Sequence, residues 1–317
     1  MMRRIGLGLL IVILGVALLP PLGAWIFQWG PNPDALPLRG SSVRIGKDLK
    51  LNVLDFGSGS PVVLVHGLPS SATDWAATPQ TLAAKGHRVI AYDRAGFGYS
   101  SRPAPTADRY TYESNAQDLA ALLDTLGIQR AALVGWSYGG AVVQTFARQA
   151  PERVSHLVLV AAVGPAQPDG TSDPLGLILH SGLGTPILQW VSAIPPLALR
   201  MTHDNLVAAF GREAAIPQGW TEYTMAMLAL PGTLRSFVLE EQRGNAAALQ
   251  PEALRMPALV LQGTDDRLVP AFVGEDLHRR LPGSQLVMVP DGSHMLPVTH
   301  TELVAEQIHT FLTEPHA

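Results

Sequence analysis

A serine stands at the centre of a five-residue pattern, Gly135-Trp136-Ser137-Tyr138-Gly139, that fits G-x-S-x-G. The apolar run AALVG leads into it, and GGAVVQTFARQ follows with the spacing of a helix. A nucleophilic serine needs this setting, because a tight strand-to-helix turn projects its hydroxyl and the flanking glycines let neighbouring backbone pass. The N-terminus of the following helix also favours developing negative charge. The pattern therefore predicts Ser137 as a nucleophile.

A serine hydroxyl is a weak nucleophile and requires a base that a carboxylate orients. Asp265 and Asp266 follow one apolar run, and His294 follows the last one in the turn Gly292-Ser293-His294. Side chains that follow parallel strands meet at the carboxyl edge of the sheet, where open α/β sheets bind ligands. We predict His294 as the base, oriented by one of the two aspartates.

Beyond Ser41, short apolar runs alternate with helical segments, and these elements must position the side chains named above. The alternation predicts parallel strands joined by crossover helices. Several central runs are apolar throughout, as expected for strands covered on both faces. The predicted strands are Val43 to Ile45 and Leu49 to Phe56 (a hairpin), Val62 to Val65, Val89 to Tyr92, Ala131 to Gly135, Leu157 to Ala161, Ala258 to Gln262 and Gln285 to Val289. The predicted helices are Asp74 to Lys85, Tyr112 to Leu126, Gly139 to Gln149, Ala271 to Arg280 and Thr301 to Leu312.

The pattern of apolar strands is interrupted between about Gly164 and Gly244, where Pro and Gly separate apolar segments with helical spacing. The strand pattern resumes at Ala258. We interpret this stretch as a helical cap inserted into one α/β unit. The chain then divides into a membrane anchor or signal with its linker (1–40), the first half of the core (41–163), the cap (164–245) and the second half of the core (246–317).

The N-terminal segment from Ile5 to Trp29 contains no charged residue, and Arg3 and Arg4 precede it. Its apolar length falls between a signal-peptide core and the roughly 20 residues of a membrane-spanning helix. Because no good small-x-small cleavage site follows, we predict a single-pass N-terminal transmembrane helix; a cleaved signal peptide of a secreted protein and a buried hydrophobic helix are the alternatives. The two arginines predict a cytoplasmic N-terminus, with the remainder on the extracytoplasmic side.

Charge and composition exclude several classes of protein. The 317 residues carry 22 Lys and Arg against 26 Asp and Glu, so no basic excess is available to neutralise phosphates and no nucleic-acid partner is expected. The chain has no cysteine, which excludes disulfides, thiolate metal sites and a cysteine nucleophile. His180, His203 and Asp204 lack metal-ligand spacing, and we predict neither a metal nor a cofactor.

From Ser41 to the C-terminus the chain resembles the α/β-hydrolase fold family. The motifs that carry the resemblance are His66-Gly67-Leu68-Pro69, Asp93-Arg94-Ala95-Gly96-Phe97-Gly98-Tyr99-Ser100, the turn at Ser137, Gly263-Thr264-Asp265-Asp266 and Gly292-Ser293-His294. The resemblance implies a mostly parallel sheet with helices on both faces. It also implies the chain order Ser, Asp, His for the catalytic triad, with the acid three residues after the glycine that closes its strand. That spacing selects Asp266, and Asp265 is the competitor.

The same resemblance implies an oxyanion hole from the backbone N–H groups of Leu68 and Tyr138. His66 is expected to fix its loop by side-chain hydrogen bonds rather than to transfer protons. Asp93 and Arg94 are expected to brace the loop that they begin.

Most of the other histidines are interpreted as structural or solvated. His87, His278, His309 and His316 lie in polar or helical surface contexts, and His300 is expected to cap the last helix. Apolar cap residues are candidates to line an acyl pocket together with Trp136, although simple packing explains each of them as well; they are Trp190, Met201, Phe210, Trp220, Met225 and Met227.

These observations predict a serine hydrolase that cleaves a carboxylic ester with an apolar acyl or alcohol group. Haloalkane dehalogenases and epoxide hydrolases of this fold carry aspartate where Ser137 stands, and proline iminopeptidases typically read G-G-S-W-G there. Ring-cleavage carbon–carbon hydrolases use the same triad, but their early loop usually reads H-G-x-G-P-G where this chain has HGLPSS. The alternatives are a carbon–carbon or amide hydrolase, an acyltransferase, and a non-catalytic membrane-tethered binding protein.

Overall fold

The structure, a computed structural model, describes residues 38–168 and 174–315. Eight strands in this part form one sheet: β1 (Ser41–Ile45), β2 (Leu49–Gly57), β3 (Ser60–Val65), β4 (His87–Tyr92), β5 (Ala131–Trp136), β6 (Val154–Val160), β7 (Ala258–Gly263) and β8 (Gln285–Val289). Their order is β1-β2-β4-β3-β5-β6-β7-β8. The pairs β1·β2 and β2·β4 are antiparallel and the other pairs are parallel, which confirms the predicted hairpin and parallel sheet.

Eleven α-helices lie in the described residues. They are α1 (Thr78–Ala84), α2 (Tyr112–Thr125), α3 (Tyr138–Gln149), α4 (Pro174–His180), α5 (Gly184–Ser192), α6 (Pro195–Phe210), α7 (Trp220–Ala229), α8 (Thr233–Arg243), α9 (Ala271–Arg280), α10 (Leu296–Thr299) and α11 (Thr301–Thr313). The predicted helix from Asp74 to Lys85 is shorter, because a 3₁₀ helix (Ala72–Trp75) comes first and Pro79 then lies in the first turn of α1.

Helices cover both faces of the sheet, and alternate residues of each strand enter different cores. Val63 and Val65 of β3 pack with the side of α2 and α3, whereas Val62 and Leu64 pack with the side of α1 and α11. This period of two follows from the pleat of a strand. Fully burying a Val or Leu side chain stabilises the fold by roughly 1.5–3 kcal/mol. Because such side chains are buried on both faces of the sheet, the sheet is a rigid platform for the loops that leave its strands.

The chain order of the strands creates a switch point between β3 and β5. From β3 the chain moves to β4 on one side, then crosses back to β5 on the other. The loops that leave β3 and β5 at their carboxyl ends therefore diverge and leave a crevice. His66 to Pro69 follow β3 and Ser137 follows β5, so both enter this crevice.

Helices α4 to α8 lie between β6 and β7, in the stretch predicted as the cap. The described residues include no helix long and apolar enough to cross a bilayer. The transmembrane helix predicted between Ile5 and Trp29 lies outside the described residues, so it stays a prediction, as do the four segment boundaries.

Two predictions about histidines are wrong. His87 is buried rather than at the surface, with its Nε2 atom 3.0 Å from Nδ1 of His309, and burial lowers its pKa below the usual 6.5. His300 occupies the residue before α11, but its side chain makes no capping hydrogen bond. Its Nδ1 atom instead lies 2.9 Å from Thr299 Oγ1.

Candidate active site

Ser137 lies in a strained turn between β5 and α3, with φ of 55° and ψ of −123°. A residue with a side chain adopts this φ only when surrounding contacts hold it there. The Ser137 N–H donates to the Val160 carbonyl at 3.0 Å, and the Ser137 carbonyl accepts from the Val163 N–H at 3.1 Å. The neighbouring strand β6 and the residues after it thus fix the turn.

Close backbone contacts leave no room for a side chain at the two glycines of the motif. A Cβ atom on Gly139 would lie 2.1 Å from the Val65 carbonyl oxygen, and one on Gly135 would lie 2.5 Å from the Gly139 carbonyl oxygen. Neither backbone oxygen can move away without disrupting the sheet or the helix. The G-x-S-x-G spacing is therefore imposed by the close approach of β3, β5 and α3.

His294 and Asp266 form a buried hydrogen-bonded pair. The His294 Nδ1 atom lies 2.9 Å from Asp266 Oδ2, and the two residues are 5% and 6% exposed. The other carboxylate oxygen, Oδ1, accepts the backbone N–H groups of Leu268 and Val269 at 2.9 and 2.8 Å. Since an ionised Asp266 only accepts, Nδ1 carries the imidazole proton and Nε2 is left as an acceptor. Asp265, the competing acid, is exposed.

Trp136 connects the strand before Ser137 to the loop that carries His294. Its indole Nε1 donates to the His294 carbonyl oxygen at 2.9 Å, and the two rings are 5.6 Å apart. Trp136, Ser137 and His294 all line one cavity. The sequence predicted Trp136 only as a pocket residue, because a contact across 158 residues has no local signal.

The candidate oxyanion donors lie beside Ser137. Leu68 and Tyr138 line the same cavity, and Tyr138 is the first residue of α3, where backbone N–H groups have no partner within the helix. A Cβ atom placed on Gly67 would be 3.0 Å from Ser137 Cβ and 3.4 Å from Ser137 Oγ. The Gly67–Leu68 peptide is therefore close to the serine side chain.

His66 braces the early loop, as predicted. Its Nε2 accepts the Arg94 N–H at 2.9 Å, so the proton resides on Nδ1, which donates to the Gly67 carbonyl oxygen at 2.9 Å. The ring is fully buried, and burial lowers the pKa of His66 well below 6.5, with the Arg94 charge acting in the same direction. A neutral imidazole in this position fixes backbone geometry.

Asp93 braces the next loop, again as predicted. Its Oδ1 accepts the Ala72 N–H at 2.8 Å, and its Oδ2 accepts from the Tyr99 N–H and Asn52 Nδ2 at 2.9 Å each. Burial raises the pKa of Asp93 to about 6, and these hydrogen bonds oppose the rise.

The cavity over Ser137 has a volume of about 1290 Å³. This is above the roughly 300–1,000 Å³ of common small-molecule sites, so a medium-sized organic substrate fits with room for water. Among the predicted apolar residues, those that line it are Trp136, Met201, Trp220, Met225 and Met227.

Trp190 and Phe210 do not line the cavity, so their prediction as substrate-binding residues is corrected. Phe210 is 2% exposed and packs edge-to-face on Trp220, which places it behind the lining. On α5, Leu188, Gln189, Val191 and Ser192 line the cavity and Trp190 does not.

Sequence reasoning missed several polar groups of the cavity wall, among them Asp74, Glu240 and Arg235. Burial raises the pKa of Asp74 to about 6, and its Oδ1 accepts the Tyr223 hydroxyl at 2.5 Å. Glu240 of α8 is fully buried and paired with Arg94. Arg235 has a buried Nε that finds no hydrogen-bond partner among residues 38–168 and 174–315. The described residues contain no group of three His, Cys, Asp or Glu that could hold a metal ion.

The comparison with known proteins agrees with this geometry. Residues 60–301 match the family model of the alpha/beta hydrolase fold. A 2-hydroxymuconate semialdehyde hydrolase from Pseudomonas putida is 31% identical over 286 residues, covering 87% of this chain and 97% of the relative. Among solved structures, a thermophilic esterase from Thermogutta terrifontis (28% identity, TM-score 0.67) and an esterase from Rhodococcus sp. ECU1013 (25%, 0.71) each cover 87% of this chain, and the match spans 98% and 99% of their chains. The chain therefore belongs to the alpha/beta hydrolase fold family and is an enzyme of that family.

Proposed function

We propose that this enzyme hydrolyses a carboxylic ester through an acyl-enzyme intermediate on Ser137. The observation that carries the proposal is the buried His294–Asp266 hydrogen bond of 2.9 Å, with His294 lining the same cavity as Ser137, a serine held in a strand-to-helix turn. A serine and a histidine oriented by a carboxylate are the arrangement that activates a hydroxyl for acyl transfer.

The first half of the reaction forms the acyl-enzyme. His294 Nε2 accepts the Ser137 proton as Oγ attacks the ester carbonyl, and the Leu68 and Tyr138 N–H groups stabilise the tetrahedral oxyanion. Asp266 holds the imidazole tautomer and stabilises the imidazolium. The intermediate then collapses, the carbon–oxygen bond of the ester breaks, and the imidazolium returns its proton to the departing alcohol.

The second half releases the acid. His294 takes a proton from water as the hydroxide attacks the acyl carbonyl, and the proton then returns to Ser137 Oγ as the acid leaves. One oxyanion donor commonly contributes about 10²–10³ in kcat, about 2.7–4 kcal/mol of barrier. The mostly apolar lining around Trp136 and Met225 supports an apolar acyl or alcohol group as the substrate class.

Cleavage of a carbon–carbon bond beside a keto group is the second candidate. The 31% identical 2-hydroxymuconate semialdehyde hydrolase supports it. Arg235 supports it as well, because the described residues supply no ion-pair partner for its guanidinium. The positions three and four residues away, where a helical ion-pair partner would stand, hold uncharged residues: Pro231, Gly232, Val238 and Leu239. A guanidinium on a cavity wall that forms no ion pair with the described residues suits a substrate that carries an acidic group.

A substrate panel distinguishes these activities. Purified protein starting at Ser41 is assayed with p-nitrophenyl esters of increasing chain length, with the matching amides, and with a keto-acid ring-cleavage product. The ester proposal predicts the highest kcat/KM for an ester; a higher value for the ring-cleavage product would replace it with carbon–carbon hydrolysis. Added alcohols that divert the acyl group at the expense of free acid would indicate an acyltransferase, and no turnover with any substrate would favour the binding protein.

Matched esters then test the acidic substrate. A monoanionic ester and a neutral ester of equal length are compared in Arg235→Gln and in Arg212→Gln, which removes the same charge from an exposed cap position outside the cavity. The carbon–carbon candidate predicts that only Arg235→Gln lowers the anionic-to-neutral ratio of kcat/KM, by about 10-fold or more, as for loss of a charge-assisted hydrogen bond. An equal ratio in both variants would remove the support that Arg235 gives it.

For localisation, we propose that Ile5 to Trp29 anchors the enzyme in a membrane with the catalytic part on the extracytoplasmic side. The support is the apolar, uncharged sequence preceded by Arg3 and Arg4. Full-length protein is then expected to sediment with membranes, while protein starting at Ser41 remains in the supernatant. A shortened, freely secreted chain would instead indicate signal cleavage.

A further inference from the structure

A single buried arginine, Arg94, connects the cap to the loop beside Ser137. On the core side its Nη2 donates to the Gly67 carbonyl oxygen at 2.8 Å and its Nε donates to the His66 carbonyl oxygen at 3.2 Å. On the cap side its Nη1 donates to both carboxylate oxygens of Glu240, at 2.6 and 2.7 Å. The side chains of Arg94 and Glu240 are both 0% exposed.

The contact with Gly67 bears on the candidate oxyanion hole through the geometry of the peptide bond. The Gly67 carbonyl and the Leu68 N–H belong to one planar group, and in a trans peptide they point in opposite directions. A hydrogen bond that fixes the Gly67 oxygen therefore also fixes the direction of the Leu68 N–H. This peptide lies beside Ser137, since a Cβ on Gly67 would be 3.4 Å from Ser137 Oγ.

The position of the Arg94 guanidinium depends in turn on Glu240. A buried charge is costly unless it is paired and hydrogen-bonded, and removing one partner of a buried pair leaves the other uncompensated. Asn115 Nδ2 donates to Glu240 Oε1 at 2.8 Å, and the rings of Phe97 and Tyr138 lie 4.8 and 4.6 Å from the guanidinium carbon. The arginine is thus held by two rings, by one core loop, by the carboxylate of Glu240 on the cap helix α8 and by Asn115 Oδ1, which accepts from its Nη1 at 3.2 Å.

We propose that Glu240 is a positioning residue of the cap that completes the oxyanion hole by holding Arg94 against the Gly67 carbonyl. The inference rests on the proposed function and deepens it. When α8 is seated, the Leu68 N–H is directed at the reacting carbonyl; when α8 is displaced, Arg94 loses its counter-ion and the Gly67–Leu68 peptide loses one of its restraints. The Gly67–Leu68 peptide therefore has all of its restraints only when α8 is seated.

The size of the effect follows from the second restraint on the same peptide. His66 Nδ1 also donates to the Gly67 oxygen, so loss of the Arg94 contact loosens the peptide without freeing it. The expected loss is therefore smaller than the 10²–10³ of a deleted oxyanion donor, about 10- to 50-fold in kcat. KM is expected to change less than threefold, because the donor acts on the transition state more than on bound substrate.

The test compares Glu240→Gln with Thr233→Val in protein otherwise intact. Thr233 is the matched control because it also joins α8 to the core, accepting a hydrogen bond from Arg102 Nη2 at 3.1 Å. Arg102 donates to the Gly98 and Ser100 carbonyls rather than to the His66–Pro69 loop. Active-site titration with a fluorophosphonate gives the folded fraction of each variant, and kcat, KM and the rate of phosphonate labelling of Ser137 are then expressed per active site.

We expect Glu240→Gln to lower kcat and the labelling rate about 10- to 50-fold per active site, and Thr233→Val to change neither more than twofold. The phosphonate develops its oxyanion in the same hole, so its labelling rate tests Glu240 even if no ester is turned over and the proposed function fails. If Glu240→Gln does not fold, Glu240→Asp retains the counter-ion on a shorter side chain and a loss in the same two rates is expected. Rates per active site equal to wild type in the folded Glu240 variant would overturn the proposal.

Discussion

The indole Nε1 of Trp136 donates a 2.9 Å hydrogen bond to the carbonyl oxygen of His294. The residue before the candidate nucleophile thus holds the backbone of the candidate base, and the two ends of the candidate triad share one restraint. The distance between Ser137 and His294 is therefore set by the rigid strand β5 as well as by the loop after β8.

Removing that restraint is expected to reduce catalysis more than stability. In Trp136→Phe the hydrogen bond is lost, which costs about 1 kcal/mol of stability, and we expect kcat to fall about 5- to 20-fold as the imidazole becomes less well placed. Trp75→Phe is the control, because Trp75 packs against Trp136 but its buried Nε1 has no hydrogen-bond partner in the part of the chain that the structure describes. Comparable kcat values in the two variants, measured with one ester, would argue against positioning by Trp136.

Substitutions at two neighbouring aspartates test which carboxylate orients the candidate base His294. Asp266→Asn cannot hold the required imidazole tautomer, and we expect kcat to fall by about 10⁴. Asp265→Asn is the matched control, since Asp265 is exposed and only its backbone N–H, which donates to the Gly292 carbonyl, is held in the turn. We expect it to retain at least half of the wild-type kcat. A larger loss at Asp265 than at Asp266 would reverse the assignment.

Asp74 is expected to make stability depend on pH. Burial raises its pKa from 3.8 to about 6; the Ser70 and Tyr223 hydroxyls oppose the rise, and the nearby Asp93 charge adds to it. Between pH 3.8 and about pH 6 the folded protein keeps a proton on Asp74 that the unfolded chain releases. The free energy of unfolding therefore falls as pH rises through this range. Relative to Asp74→Asn, wild type should lose up to about 3 kcal/mol between pH 4 and pH 7. Urea unfolding of both proteins across this range measures the difference, and a constant difference would show that the carboxyl is not perturbed.

The candidate triad was predictable from sequence because its signals are local. Ser137 stands between an apolar strand and a helix, and His294 stands in a turn after the last strand, so pattern and chain order suffice. The selection of Asp266 depended on the family resemblance. The structure adds a physical argument for this candidate, since the two carboxylate oxygens of Asp266 are satisfied by His294 and by the backbone of residues 268 and 269.

The contacts between cap and core were not predictable in this way. Glu240 lies 146 residues from Arg94, and Tyr223 lies 149 residues from Asp74, yet both pairs are buried and hydrogen-bonded. No local pattern distinguishes Glu240 from a solvated residue of a helix, and the apolar spacing that suggested Phe210 as a pocket residue is equally typical of packing. The strand pattern in the sequence predicts which edge of the sheet carries the candidate site, whereas the contacts of the cap side chains are known only from the structure.

The central claim is that Ser137 forms the covalent intermediate, and kcat of Ser137→Ala with a p-nitrophenyl ester tests it most directly. Each protein is first shown to be folded by circular dichroism and thermal unfolding, and a fluorophosphonate label in wild type is mapped by mass spectrometry. We expect wild type to be labelled at Ser137, and Ser137→Ala to be unlabelled and to lose up to about 10⁶ in kcat. Ester turnover by folded Ser137→Ala within 10-fold of wild type, or a label on another residue, would contradict the claim.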